Sequence, residues 1–347
     1  MDKKISLLKL LECLENERQH FPLLDVFQKF KATDYSGTMK YTMTSPESIR
    51  HWSFGEVKYA ESINIKTKEP WHGGLFCARI FGPTKDYECF CGKYRGIKHR
   101  GIICEECGVE VNRSSLRGER MGHIELVAPC ANIWFLKIRP SLLGLVLDMT
   151  ASDIERVVYF EAYIVTDPGA TPIKKYSILS EDDFNGLLVQ YGSEFTAKNG
   201  AEAIKDLLQN LDFEYDIERC IIFACLEIIN SKNAKRLLML EMFKEDNIKP
   251  EWMMLDVIPV IAPDLRPPGA LVGDQLEASD FNRQYQRIIT INNQLRKMLE
   301  IQAPSAFLVP LKLRLQEAVD CLLDNKRSRK VMIGVNKTPL RSLASLN

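Results

Sequence analysis

The most regular pattern of apolar positions lies towards the end of the chain. Over 279–302 the positions expected to face inward are spaced 4-3-4-3-4, at Phe281, Tyr285, Ile288, Asn292, Leu295 and Leu299. After a break at 303–305, a 4-3-4 spacing recurs at Leu311, Leu315, Ala318 and Leu322. Alternating steps of four and three residues place apolar side chains along one side of a helix, where a second helix can pack. The sequence therefore predicts an antiparallel coiled-coil hairpin over 280–324.

The rest of the chain mixes helical and strand-like patterns. Apolar spacing predicts two short amphipathic helices in 1–40 and further helices over 180–246. Short apolar runs predict strands in three places: 123–138 (two strands), 159–165 and 253–262. Prolines and glycines over 263–273 predict a loop before the hairpin. The expected fold class is α+β, an elongated multi-part module with a mixed α/β core and a protruding hairpin.

The start of the chain resembles a signal peptide only briefly. Lys9 and Glu12 interrupt its apolar stretch, and no small-residue cleavage site follows, so an amphipathic helix is the better interpretation. No apolar run approaches the ~20 residues that cross a bilayer, and we expect no membrane partner.

Charge is unevenly distributed along a chain that is neutral in total, with 46 Lys+Arg and 46 Asp+Glu. Residues 151–256 carry 20 acidic and 11 basic residues, whereas 325–341 carries six basic residues and no acidic one. A neutral total therefore does not exclude a polyanionic partner, because the basic surface is local. The acidic excess of 151–256 is typical of solvated helix faces.

Four of the ten cysteines fall within 19 residues, as Cys89-x-Cys91 and Cys104-x-x-Cys107. Four thiolates on two tight turns are the donor set of a closed, tetrahedral, structural zinc site, a four-cysteine zinc ribbon. Free thiols or an iron–sulfur centre are the alternatives. The other six cysteines are interpreted as small buried hydrophobic residues, which suits a reducing, cytoplasmic compartment.

Two basic segments are candidates for contact with nucleic acid. The loop between the cysteine pairs carries Lys93, Arg95, Lys98 and Arg100. The segment after the predicted hairpin carries Lys326, Arg327, Arg329, Lys330 and Lys337. Cations at this density suit contact with phosphate groups, although an ordinary solvated loop or tail is the alternative for each segment.

A self-contained enzyme is poorly supported by the sequence. His123-Ile-Glu125 followed by Pro129-Cys130 is close to the zinc-deaminase signature, but Ile133 stands where that signature needs cysteine. We find no phosphate-binding loop and no Ser/His/Asp set. His123 is therefore interpreted as a satisfied core or turn histidine, and no catalytic residue is predicted.

Many motifs, in order, resemble the N-terminal part of the bacterial-type DNA-directed RNA polymerase β′ subunit. The longest is Gly-Leu-Phe-Cys-Ala-Arg-Ile-Phe-Gly-Pro at 74–83. The others lie at 45–46, 49–50, 52–57, 85–89, 91–94, 99–101, 104–105, 107–111, 120–126, 153–157, 250–253, 263–267, 315–320 and 323–325. The resemblance extends from about residue 41 to the end.

The resemblance implies a division of the chain into parts. These are an N-terminal helical extension (1–40), clamp core with an upstream-DNA contact at Lys66 (41–85), the zinc-binding domain (86–112), clamp core with an acidic helical insert (113–261), a lid-like loop (262–280), the clamp helices (280–324) and a rudder-like basic loop (325–347). Arg266 in the lid-like loop is a further implied nucleic-acid contact.

The clamp helices of the family dock the sigma-type initiation factor. The positions implied for that contact are Arg283, Arg287, Ile291, Asn292, Leu295, Arg296, Leu311, Arg314 and Ala318. Ile291 replaces a usual arginine and Leu311 a usual glutamate. The tip over 307–311 is unusually apolar, which suggests an altered or more apolar partner.

The implied function is to help hold DNA and the RNA–DNA hybrid and to dock sigma. The partners would be the polymerase β and α subunits, the remainder of β′, sigma, DNA and RNA. The family's catalytic Asp-rich motif, which binds Mg²⁺, lies beyond the end of this chain, so we expect no polymerisation by the chain alone. The alternative is a truncated β′ paralogue that sequesters an initiation factor or another regulator outside the core enzyme.

Overall fold

The computed structural model describes residues 43–63, 69–226, 231–268, 271–272, 275–276, 279–334 and 337–345. The helices predicted within 1–40 and the predicted DNA contact Lys66 lie outside these residues. Among the described residues, helices long enough to cross a membrane lack the necessary apolar stretch.

Helices and small antiparallel sheets alternate along the chain, so the α+β class is confirmed. The helices are α1 (Pro46–Trp52), α2 (Ala78–Phe81), α3 (Ile133–Lys137), α4 (Leu142–Leu147), α5 (Ala151–Val158), α6 (Glu181–Tyr191), α7 (Gly200–Gln209), α8 (Phe213–Leu226), α9 (Ser231–Glu245), α10 (Asp280–Glu300) and α11 (Ser305–Asp324). The strands are β1 (Gly122–Ala131), β2 (Tyr163–Asp167), β3 (Ile178–Leu179), β4 (Thr196–Lys198), β5 (Met254–Val260), β6 (Leu271–Val272) and β7 (Gln275–Leu276).

Three antiparallel sheets connect these elements. Strands β1 and β5 pair, with Gly122 opposite Val260 and Ala131 opposite Met254. Strand β2 lies between β3 and β4, and β6 pairs with β7. The β1–β5 pairing is interrupted between Glu125 and Cys130, which leaves the middle of β1 free to contact other elements.

Short polar side chains decide where several helices begin. The Ser45 hydroxyl accepts a hydrogen bond from the Ser48 N–H (3.1 Å) ahead of Pro46, as predicted for this helix start. The prediction of two strands over 123–138 is wrong in its second half. The Asn132 side chain accepts a hydrogen bond from the Trp134 N–H (3.0 Å) and begins α3 there, a side-chain effect that outweighs the apolar pattern.

Two apolar cores hold the described part of the chain together. The first packs α4, α5, α7 and α9 around Leu143, Ile154, Ile204 and Leu240. The second packs α2, β1 and β5 against α10 and α11. The Gln284 side chain near the start of α10 donates a hydrogen bond to the Cys321 carbonyl near the end of α11 (3.3 Å). Helices α10 and α11 therefore form an antiparallel hairpin whose base rests on the sheet, while coiled-coil supercoiling stays a prediction.

Two buried amides of this hairpin bind backbone groups of β1, at the edges of the gap in the β1–β5 pairing and inside it. The Asn292 side chain accepts from the Val127 N–H (2.9 Å) and donates to the Glu125 carbonyl (2.8 Å). The Gln316 side chain accepts from the Ala131 N–H (2.7 Å) and donates to the Ala131 carbonyl (2.9 Å). A side-chain amide offers the same donor and acceptor as a peptide, so these two residues satisfy backbone groups that burial would otherwise leave unpaired.

Replacing Asn292 with leucine is expected to lower the free energy of unfolding by about 2–3 kcal/mol, because a buried N–H and a buried carbonyl lose their partners. Urea denaturation followed by circular dichroism measures the change. Gln294 lies on the exposed side of the same helix, and Gln294→Leu is the matched control with an expected change within ~0.5 kcal/mol. Equal effects of the two variants would contradict the bridging role of Asn292.

Candidate metal centre and nucleic-acid interface

The four predicted cysteines meet at one point. One sulfur from each of Cys89, Cys91, Cys104 and Cys107 lies within 4.8 Å of the other three. Two similar turns position them, because the Cys89 N–H bonds to the Tyr94 carbonyl (3.1 Å) and the Cys104 N–H to the Val109 carbonyl (3.1 Å). The geometry brings together every sulfur that the sequence predicted.

Glycine follows the second cysteine of each pair for a conformational reason. Gly92 and Gly108 adopt φ values of +78° and +67°, a region that other residues rarely occupy. The Gly92 N–H donates to the Cys89 carbonyl (3.1 Å) and the Gly108 N–H to the Cys104 carbonyl (2.7 Å). Each turn therefore closes tightly enough for both of its sulfurs to point inward.

The donor set fits one tetrahedral metal ion. Metal–sulfur bonds of ~2.3 Å would separate the sulfurs by roughly 3.8 Å, close to the 3.5 Å between Cys91 and each of Cys89 and Cys104. Cys89 and Cys104 are buried with Val111 in a core of their own, against which Tyr87 and Tyr94 pack. Apolar burial in such a small core is too little to keep this segment folded, and a metal ion bound by the four sulfurs would supply the missing stability.

Half of the predicted basic loop is already paired with carboxylates. The Lys93 ammonium lies 2.7 Å from Glu105 and 2.9 Å from Glu106, and these hydrogen bonds raise the pKa of Lys93. Arg95 lies 3.3 Å from Glu88. Lys98 and Arg100 are exposed and make no ion pair with any described residue. The charge available to a phosphate backbone is thus concentrated on Lys98 and Arg100.

The basic segment after α11 is folded back against the hairpin base. The buried Asn325 side chain donates to the carbonyls of Met332 and Leu340, each at 2.9 Å, and accepts from the Met332 N–H (2.8 Å). Lys326, Arg327, Lys330 and Lys337 are exposed on this segment. Arg329 is exposed as well, and two of these cations form ion pairs, Arg329 with Glu161 at 2.5 Å and Arg327 with Asp324 at 3.7 Å.

Arg266 is not a surface residue, and its prediction as a nucleic-acid contact is wrong. Its side chain is 0% exposed. The guanidinium donates to the carbonyls of Leu75 (2.6 Å) and Ile261 (2.8 Å) and to the Asn282 side-chain oxygen (2.9 Å). It also lies 5.0–5.8 Å from the ring centres of Phe76, Phe81 and Tyr285. Burial lowers the pKa of Arg266 to about 10, so the group remains a cation at neutral pH.

The nine predicted sigma contacts divide into two groups. Four are buried and at most 2% exposed, so their prediction as partner contacts is wrong: Ile291, Asn292, Leu295 and Ala318. Three of them pack into the second core and the Asn292 side chain bonds to β1, so this surface of the hairpin is already covered within the chain. Five remain at least partly accessible: Arg283, Arg287, Arg296, Leu311 and Arg314.

His123 and Glu125 form a structural cluster with Arg50. Arg50 donates to both carboxylate oxygens of Glu125 (2.7 and 3.0 Å), which lowers the pKa of that carboxyl. His123 contacts the Ser53 hydroxyl at 2.7 Å and Glu125 at 3.3 Å. Every polar group has a partner, and the interpretation of His123 as a satisfied histidine agrees with this geometry.

Sequence reasoning missed the carboxylates that pair with Lys93. Glu105 and Glu106 stand between Cys104 and Cys107, so closing the four-sulfur site necessarily brings them next to the first turn. That spacing was a usable signal. No local spacing could have predicted the bond from Arg266 to the Leu75 carbonyl, because the two residues are 191 positions apart in the sequence.

These features define an α+β protein with a four-cysteine ribbon and a helical hairpin packed on a two-stranded sheet. The sequence matches the family described as RNA polymerase Rpb1, domain 1, over residues 37–346, and the chain belongs to that family. The predicted resemblance to the N-terminal part of the β′ subunit is thereby confirmed.

Curated relatives are similar to this chain over most of its length. The DNA-directed RNA polymerase subunits beta' of Polaromonas naphthalenivorans (strain CJ2) and of Albidiferax ferrireducens (strain ATCC BAA-621 / DSM 15236 / T118) are each 58% identical over 325 residues. The matched region covers 93% of this chain and 23% of each relative. The chain thus spans less than a quarter of the length of these relatives.

Proposed function

We propose that this chain is the clamp module of a DNA-directed RNA polymerase β′ subunit, which helps hold DNA and the RNA–DNA hybrid and docks the initiation factor. The observation that carries the proposal is 58% identity to β′ subunits across 93% of the chain. The four-cysteine ribbon and the exposed basic segment beside the hairpin support it, because both offer cations at sites suited to a polyanion.

The proposed division of labour follows the parts of the chain. Residues 41–85 and 113–261 are clamp core, 86–112 the zinc-binding domain, 262–280 the lid, 280–324 the clamp helices and 325–347 the rudder. The metal is proposed to be Zn²⁺ with a structural role, since four sulfurs leave no coordination position for a substrate. Mg²⁺ would belong to the catalytic part of β′.

The proposed partners are the β and α subunits, the rest of β′, sigma, DNA and RNA, in a reducing cytoplasm. Sigma would contact the accessible hairpin side chains Arg283, Arg287, Arg296, Leu311 and Arg314.

A second candidate function is that the chain captures an initiation factor outside the core enzyme. The exposed apolar tip of the hairpin, where Ile301 is 71% and Phe307 63% exposed, favours this candidate.

Affinity purification of the tagged chain from its native cells, followed by mass spectrometry, tests the proposal. Recovery of β, α and the catalytic portion of β′ is the expected result. Recovery of an initiation factor without β would instead support the second candidate. Absence of both β and nucleic acid from the purified material would contradict the clamp function.

The ribbon is expected to contact phosphate groups through Lys98 and Arg100. A polymerase is assembled with a Lys98→Ala/Arg100→Ala variant. Log affinity for nucleic acid decreases with log salt, and this decrease should become shallower by about 0.7–0.9 in slope for each lost contact. Fluorescence anisotropy with a labelled duplex or single strand measures the slope. The double variant Lys174→Ala/Lys175→Ala, on the exposed surface of the acidic insert, is the matched control. An unchanged slope would exclude the ribbon as a phosphate contact.

A further inference from the structure

A fully buried carboxylate lies where the hairpin base meets the rest of the protein. Asp320, on α11, is 0% exposed. One carboxylate oxygen accepts a hydrogen bond from the Tyr159 hydroxyl (2.8 Å), and the other from the Gln316 side chain (2.9 Å). No lysine or arginine of the described residues forms an ion pair with this carboxylate. A buried ionised carboxylate without a cation is strongly disfavoured, so its protonation state matters.

The two hydrogen-bond partners, and an arginine beside one of them, connect Asp320 to different elements. Tyr159 follows α5 directly, and Gln316 holds the end of β1 through Ala131. Arg329, in the basic segment after α11, lies 5.3 Å from the centre of the Tyr159 ring. A change at Asp320 therefore acts on the hairpin, on β1, on α5 and on the basic segment together.

The charged groups around Asp320 come from every neighbouring element. From α3, the Lys137 ammonium lies 5.5 Å from the centre of the Tyr159 ring and 3.9 Å from the Glu155 carboxylate of α5. Arg329 is held by Glu161 in the turn after α5. Glu317 on α11 and the buried thiol of Cys130 on β1 complete the set. Cations thus approach the tyrosine ring, while the carboxylate keeps only neutral hydrogen-bond donors.

Burial raises the pKa of Asp320 to about 7, against the opposing effect of the Tyr159 and Gln316 hydrogen bonds, which favour the ionised form. Burial also raises the pKa of Tyr159, so its hydroxyl stays protonated and remains a donor. The carboxyl of Asp320 thus changes charge within the neutral range in the folded protein, far above the ~3.9 of aspartate in water.

We propose that Asp320, Tyr159 and Gln316 form a proton-sensitive joint that holds the hairpin base to β1, α5 and the following basic segment. The neutral carboxyl group closes the joint. The ionised carboxylate favours an opened state in which water reaches it and the hairpin base is released from the core. The joint concerns conformation and is independent of which nucleic acid or protein the chain binds.

The direction of the effect follows from proton linkage. Between the pKa values of the open and closed states, the closed state binds one proton more, so raising the pH favours opening. The opening equilibrium is expected to rise about tenfold per pH unit from roughly pH 4 to pH 7 and to level off above.

Hydrogen exchange of the full chain, read by mass spectrometry from pH 5 to 8 and corrected for intrinsic exchange rates, tests the joint. In the unmodified chain, amides over 131–137, 157–162 and 321–330 should lose protection by about tenfold per pH unit up to pH 7. Amides of the ribbon, over 86–112, serve as the internal reference. Protection of the joint that is independent of pH would overturn the proposal.

Two variants separate a proton-sensitive role from a purely structural one. Asp320→Asn keeps the shape and carries no titratable proton. Its oxygen can accept from the Gln316 amide and its NH2 group can donate to the Tyr159 hydroxyl oxygen, so the pH dependence should disappear while protection persists at pH 8. Tyr159→Phe removes a hydrogen bond that lowers the pKa of Asp320, so the steep range should extend to higher pH. A slope retained in Asp320→Asn, or a uniform loss of protection in Tyr159→Phe without a shift along the pH axis, would contradict the joint.

Discussion

Replacing Cys104 with serine is expected to abolish metal binding at the four-cysteine centre and to unfold residues 86–112, while the two main cores stay folded. Residues 86–112 bury only Cys89, Cys104, Val109 and Val111. Structural zinc supplies ~10–16 kcal/mol in comparable peptides, more than four small buried side chains can provide. Removal of one thiolate leaves three ligands, and the folding of this segment depends on the fourth.

Elemental analysis of the purified chain and hydrogen exchange over 86–112 measure the effect. The expected result is one zinc per unmodified chain and none in Cys104→Ser, with loss of protection confined to the ribbon. Cys130→Ala is the control, because Cys130 is equally buried but lies on β1, outside the cluster of four sulfurs. Stoichiometric zinc in Cys104→Ser, or its loss from Cys130→Ala, would show that the centre has been assigned incorrectly.

Replacing Arg266 with alanine is expected to lower the free energy of unfolding by about 3–5 kcal/mol. The variant leaves the carbonyls of Leu75 and Ile261 without their donor and opens a cavity beside three aromatic rings. The side-chain oxygen of Asn282 also loses its donor. The NH2 group of the same side chain donates to the backbone carbonyls of residues 266 and 267 (2.9 and 3.2 Å), so the loss disturbs a residue that holds this turn. The segment between β5 and α10 therefore loses the side chain that bonds it to the rest of the protein.

Urea denaturation measures the change, and nucleic-acid affinity of the folded variant is the second readout. Arg283→Ala, one turn into α10 and partly exposed, is the control with an expected change within ~0.5 kcal/mol. Arg266→Lys should also be destabilising, because one ammonium cannot replace three divergent guanidinium hydrogen bonds. If Arg266→Ala had normal stability but bound nucleic acid more weakly, Arg266 would be a nucleic-acid contact and its assignment as a buried structural residue would be wrong.

Local signals in the sequence predicted the elements that depend on neighbouring residues. The cysteine spacing predicted the ribbon, Ser45-Pro46 predicted the start of α1, and the 4-3-4 spacing predicted both hairpin helices. Each of these depends on groups within a few residues of one another, whose geometry is fixed by backbone turns. Asn132 shows the limit, because a single side-chain cap begins a helix where the apolar pattern predicted a second strand.

Contacts between distant residues explain the site predictions that failed. Arg266 carries the same charge in the sequence as Lys98, yet one is enclosed by three aromatic rings and the other is exposed. Likewise, the apolar positions of the hairpin indicated a packing face without saying what would cover it. In the structure the two helices cover that face for each other and β1 packs against both of them, which leaves the arginines and the apolar tip accessible.

The sequence by itself determined the cluster of four cysteines, the two hairpin helices, the fold class and the family, because spacing and motif order are properties of the chain alone. Only the tertiary structure decided which charges remain available and which are neutralised or buried. It paired Lys93 with Glu105, enclosed Arg266 and placed Asp320 beyond the reach of water. Burial and charge pairing depend on residues that lie far apart in the chain, and their free energies are set where the folded chain brings those residues together.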